Sequence, residues 1–130
     1  MALKPLLVTS AIYLGLVGMG LLLVPDAIVF GALGPNPLPG LVGALRAEGG
    51  TLISLTVLSW MARGIQVSKA RDAIVACNIV GYALVTLTGA LGQLAGAPRK
   101  ALAFVVVHAI FTVLFSLVYL KDRSSERQLL

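Results

Sequence analysis

One cysteine, one histidine and one tryptophan occur in the 130 residues, and only 6% of the chain is aromatic. Cys77 alone closes no intrachain disulfide. It also excludes a cysteine-ligated zinc or iron–sulfur centre made by this chain by itself. His108 with five acidic residues in the whole chain forms no recognisable metal motif, so no metal is expected. No second carboxylate sits at the depth of His108 in a pattern that would argue for a Ser-His-Asp arrangement, so no catalytic residue is assigned. Charge is scarce too, at 12% of residues, about half the share of a typical soluble domain.

What fills the space is hydrophobic: 58% of the residues, with a mean hydropathy of +0.99. Four apolar stretches run from about 6 to 24, 41 to 61, 73 to 95 and 101 to 120. Each has the roughly 17–25 residues that a helix needs to cross about 30 Å of hydrocarbon. No stretch is left for a second domain, so residues 1–130 are expected to form one transmembrane domain. The N-terminal run is followed by Pro25-Asp26 without a small-residue cleavage signal, which favours a retained first helix over a signal peptide. The expected fold is an all-α integral membrane four-helix bundle.

The formal net charge of +5 does not point to nucleic acid. The basic residues flank the apolar spans and form no patch interleaved with aromatics. Their distribution instead gives a topology. Lys4, Arg63, Lys69, Arg71, Lys121, Arg123 and Arg127 lie on one side, against Arg99 and Lys100 on the other. The positive-inside rule then places both termini and the second connection in the cytoplasm, as expected for a multi-pass protein of a bacterial inner membrane.

The first connection, PDAIVFGALGPNPLPG, has no basic residue but carries Pro25, Pro35, Pro37 and Pro39 around an apolar middle. The prolines forbid a continuous helix through its end. It reads as a short interfacial helix and a rigid turn resting on the headgroups, or as a lid over a cavity facing outward. The second connection is short and basic and suits anionic headgroups. Asp72 favours the N-terminus of the third span. The third connection, GAPRK, is a tight turn that makes spans three and four antiparallel neighbours. The tail KDRSSERQLL reads as frayed or helical at the membrane surface. Trp60 and Tyr119 lie where an interfacial aromatic belt would place them, and Cys77 reads as a small packing residue.

The residues least suited to lipid are Arg46 and Glu48 in the second span. Ionisable groups there cost about 2.5–3.5 kcal/mol each on insertion scales and usually face an interior, a cavity or a partner. Two residues apart on a helix, they point about 200° away from each other, which excludes a direct bridge and leaves each to find a partner elsewhere. Arg46 also has the reach to snorkel outward to phosphate headgroups. Depth matching brings others to the same level: Glu48 and His108 each lie ~12 Å from the outer start of their span, and Gln93 is close by. Arg46, Glu48, Gln93 and His108 therefore form the candidate ligand or partner site. Asn78 and Tyr82 share a face of the third span but are expected nearer the cytoplasmic half, away from Glu48. Small residues suggest close helix packing: Gly43, Ala47, Gly50 and Ser54 in span two, Gly15, Gly18 and Gly20 in span one, and Gly81, Gly89 and Gly92 in span three.

The length, the four spans, the Pro-Gly connection and the stretch LRAEGGTLISLTVLSWMAR resemble the small bacterial four-helix proteins of the DoxX-like type. That resemblance implies a membrane subunit of a quinone-dependent redox complex and carries over no individual residue. Three functions remain open. The first is a non-catalytic accessory subunit that stabilises a larger redox, respiratory or photosynthetic membrane complex, with other membrane subunits, or itself, as partner beside the lipid bilayer. The second is a protein holding a quinone or lipid-like ligand at the outer-half polar site. The third is a small oligomeric transporter.

Overall fold

The computed structural model describes the backbone of residues 3–127 and the side chains of residues 3–122. Its helices are α1 (Leu3–Leu23), α2 (Pro25–Ile28), α3 (Pro39–Ala62), α4 (Lys69–Leu94) and α5 (Leu102–Arg127), with a 3-10 turn at Arg99–Ala101. The described residues contain no strand. α1, α3, α4 and the segment Arg99–Asp122 are each long and apolar enough to cross a membrane. The all-α expectation with four long apolar helices therefore holds.

Local chemistry sets the boundaries. Pro25 stops α1 and occupies the first turn of α2, where its missing N–H costs nothing. Pro39 opens α3 in the same way. α4 begins four residues before the expected start because the Ser68 hydroxyl accepts from the Arg71 amide at 3.2 Å. Asp72 stands in that first turn, favourably placed against the helix dipole. α5 continues beyond Leu120, so the polar tail is helical as far as Arg127. The side chains of Arg123 and Arg127, which enter the topology count, and residues 128–130 of the tail lie outside the described residues.

Packing is uneven. α1 runs along α3, and α4 runs along α5 as the tight GAPRK turn requires, while the two pairs touch each other little. Glycines draw each pair together. A Cβ on Gly18 would stand 2.9 Å from the Gly49 carbonyl oxygen, so the α1 and α3 backbones are in direct contact there. Gly89 of α4 receives Val105 of α5. The expected small-residue face of the second span, however, is not the packing face. Gly43, Ala47 and Ser54 are exposed, and a Cβ at Gly43 or Gly50 would meet nothing within 4 Å. One residue is 100° of helix, so an α1 seated on Gly49 leaves Gly50 and its row turned away.

The core gathers at the end of the bundle that carries both termini. Leu6, Leu7, Val75, Phe115 and Val118 are buried there. The buried residues of α4 are Val75, Asn78 and Tyr82, and none lies beyond its middle turn. An Arg71–Asp122 salt bridge of 3.0 Å ties the start of α4 to the end of α5, so this arginine of the basic connection turns inward instead of toward headgroups. Arg63 lays its guanidinium 3.9 Å over the exposed Trp60 ring. Cys77 is exposed on the outer face of α4, which corrects its reading as a packing residue. It lies next to Asn78 but about 100° around the helix from it, outside the contact with the other pair.

Candidate functional site: a cavity between the helix pairs

At the opposite end the core gives out and the pairs part. A cavity of about 410 Å³ opens there between α1, α3, α4 and α5. Its walls are apolar, with Leu21, Leu52, Val85 and Phe104 among them, and Ile28, Val29 and Phe30 of the first connection border it. A recess of about 100 Å³ shares Glu48, Leu52, Val85 and His108 with this chamber and leads toward the termini, where Asn78 and Tyr82 line it.

Three of the four candidate residues come together on the chamber: Glu48, Gln93 and His108. Arg46 does not. It is exposed on the far side of α3 and borders neither space, because two residues of helix turn it about 200° from Glu48. The partners expected for Arg46 and Glu48 are also missing: neither makes a hydrogen bond or ion pair with any described residue. α3 is sparsely covered beyond its contact with α1, so no side chain from another helix reaches either group.

His108 is held from several sides. It is buried, at 7% exposure, in a chain that has no other histidine. Its Nδ1 lies 2.6 Å from the carbonyl oxygen of Phe104, one turn earlier. A carbonyl only accepts, so Nδ1 carries a proton, and in the neutral ring Nε2 is left as an acceptor. The Tyr13 hydroxyl, 3.4 Å from Nδ1, makes a longer contact. Tyr13 meets the imidazole edge-on at 5.5 Å, and Tyr82 lies at the same centroid distance, itself stacked on Phe111 at 4.7 Å. Nε2 has no protein partner among the described residues. Gln93 is half-buried, and its amide nitrogen donates to the Pro98 carbonyl at 3.4 Å, which leaves its Oε1 unbonded.

Beyond the recess lies a buried polar network joining three helices. Tyr82 and Ser10 share a 2.7 Å hydrogen bond, Ser10 donates to Asn78 Oδ1 at 3.2 Å, and Asn78 donates to Ser59 Oγ at 3.3 Å and to the Ile74 carbonyl at 2.9 Å. Asn78 and Tyr82 do share a face, as expected, but the recess connects them with Glu48, which sequence depth had placed apart from them. Ser10, Ser59 and Tyr13 escaped sequence reasoning. Serines in apolar helices commonly bond the carbonyl four residues back, as Ser54 and Ser116 do here, and nothing in the sequence separates Ser10 and Ser59 from that habit.

The border formed by the first connection is strained. Phe30 has φ +58°, and Gly31 and Gly34 have φ +76° and +70°. Glycine adopts this region freely, whereas an aromatic residue there costs about 1–2 kcal/mol. The Phe30 ring meets Phe104 edge-on at 5.6 Å, and the Asp26 carboxylate accepts from the Leu33 amide at 3.2 Å, closing the connection on itself. Among the described residues no three His, Cys, Asp or Glu side chains gather as a metal site. Comparison with protein-family models, curated proteins and solved structures finds no match to the chain.

Proposed function

We propose that the protein is a non-catalytic multi-pass membrane protein that holds an amphipathic small molecule in the cavity between its helix pairs. The carrying observation is the chamber of about 410 Å³, apolar on nearly all sides, whose polar side chains are those of Glu48, Gln93 and His108. A largely apolar pocket with a few convergent polar groups is the usual form of a small-molecule site. The parted helix pairs give a lipid-dissolved molecule a lateral way in. Lipid-like and quinone-like molecules are the general class, in keeping with the DoxX-like resemblance. The topology in this reading is that of a bacterial inner membrane protein with cytoplasmic termini, which puts the cavity in the outer half of the bilayer.

A diazirine-bearing long-chain alcohol in lipid nanodiscs tests the proposal, because photolysed diazirines insert readily at carboxyl groups. Labelling concentrated at Glu48 and abolished by Val85→Trp, which fills the space shared by chamber and recess, supports the site. Labelling spread evenly over the outward faces of α1 and α5 contradicts it.

A second reading, an accessory subunit of a larger redox, respiratory or photosynthetic complex, draws on a separate feature. The row of exposed Gly43, Ala47 and Ser54 with half-buried Gly50 on α3 lies next to the unpaired Arg46 and offers a flat surface for another membrane helix. Defined companion chains on gentle extraction would favour it, and extraction as a lone chain would count against it.

A further inference from the structure

The polar atoms left over in the cavity are chiefly acceptors. The Nδ1 proton of His108 is spent on the Phe104 carbonyl, so Nε2 faces its surroundings as an acceptor. One N–H of the Gln93 amide is spent on the Pro98 carbonyl, so that side chain has Oε1 and a single N–H left. Glu48 contributes carboxylate oxygens and meets no positive group among the described residues. The one basic residue on the same stretch of helix, Arg46, points away to the far side of α3. The cavity thus presents three acceptors, one of them a carboxylate, and no cation.

We infer that the site selects ligands with a positively charged, hydrogen-bond-donating head, an ammonium or amidinium on an apolar body. This rests on the cavity reading above and narrows its ligand class. An ammonium supplies several N–H donors from one atom and a counter-charge for the carboxylate on this otherwise apolar wall. Bonds between ionised partners are also shorter and stronger than neutral ones. A carboxylate or phosphate head would set acceptor against acceptor and charge against like charge. A quinone carbonyl, which only accepts, would meet a donor only in the remaining Gln93 N–H and would leave Glu48 and His108 Nε2 unmatched. An alcohol supplies one donor and no charge, so it should bind between these extremes.

The test is a series of probes that differ only at the head: decylammonium, decanol and decanoate. Binding of each to the full-length protein in nanodiscs of zwitterionic lipid is measured by isothermal titration, with empty nanodiscs as blank. The inference predicts decylammonium roughly tenfold or more tighter than decanol, with decanoate weakest. It also predicts that Glu48→Gln removes the advantage of the ammonium while decanol binding persists. If all three probes bind alike and Val85→Trp blocks them alike, head-group selection is overturned and the cavity reading stands. If decanoate binds tightest, selection runs the other way and the inference fails. If no probe exceeds the blank, the cavity reading falls and this inference falls with it.

Discussion

Gly18 and Gly49 hold α1 and α3 in backbone contact: a Cβ on Gly49 would lie 2.7 Å from the Gly18 carbonyl oxygen. Backbone cannot swing aside as a side-chain tip can, so even one methyl group must push the helices apart. Gly49→Ala should destabilise the fold by about 1–3 kcal/mol. Gly43→Ala, on the same helix but facing open space, should be neutral or stabilising by up to about 1 kcal/mol through helix propensity. Equilibrium unfolding in mixed micelles distinguishes the two. Equal effects would place the α1–α3 contact elsewhere.

The buried network makes Asn78 the joint between the pairs. Asn78→Ala removes the partner of Ser59 and one of the two partners of Ser10, which keeps Tyr82. The expected loss is about 1–3 kcal/mol, since buried groups are left unsatisfied. Thr88→Ala on the same helix breaks only bonds to its own backbone on the exposed side and should cost less than about 0.5 kcal/mol. The same unfolding assay reads both.

Because the chain has a single histidine, selective 15N-histidine labelling gives one imidazole to observe. The Phe104 carbonyl predicts a proton on Nδ1, and in the neutral tautomer Nε2 then falls in the chemical-shift range of an unprotonated nitrogen. Ligand binding should move Nε2 more than Nδ1. A ring protonated at Nε2 alone would contradict the hydrogen-bond assignment and the count of acceptors in the cavity.

The topology has its own check. With Cys77→Ala as background, Asn36→Cys in the first connection should react with a membrane-impermeant maleimide added to intact cells. Gln66→Cys in the second connection should react only after lysis. The reverse pattern would place the cavity in the cytoplasmic half of the bilayer.

Much of this arrangement was legible in the sequence, and the reasons differ by feature. The four long helices follow from apolar length alone, a property summed over twenty or so residues that no single contact overturns. Glu48, Gln93 and His108 were brought to one level by counting rise along antiparallel helices, and the structure sets all three on one cavity. Arg46 dropped out because depth fixes only one coordinate. Which way a side chain turns around its axis depends on where neighbouring helices sit, and the spacing of small residues along α3 pointed to the row of Gly43, Ala47, Gly50 and Ser54. Gly49 won over the row of Gly43 and Gly50 through its match to Gly18, a pairing between helices that no single-helix pattern contains. Ser10 and Ser59 were silent for the same reason: their partner, Asn78, is distant in sequence. The lid reading of the first connection placed it over a cavity, and Phe30 does border the chamber, although its left-handed backbone could not be foreseen for an aromatic residue.

The most direct test of the cavity as a ligand site is native mass spectrometry of the protein released gently from its own membrane, wild type beside Val85→Trp. The account predicts a discrete small molecule retained by the wild-type chain and absent from the variant, with both folded by circular dichroism. A wild-type chain that carries no small molecule, or one retained equally by Val85→Trp, would contradict it.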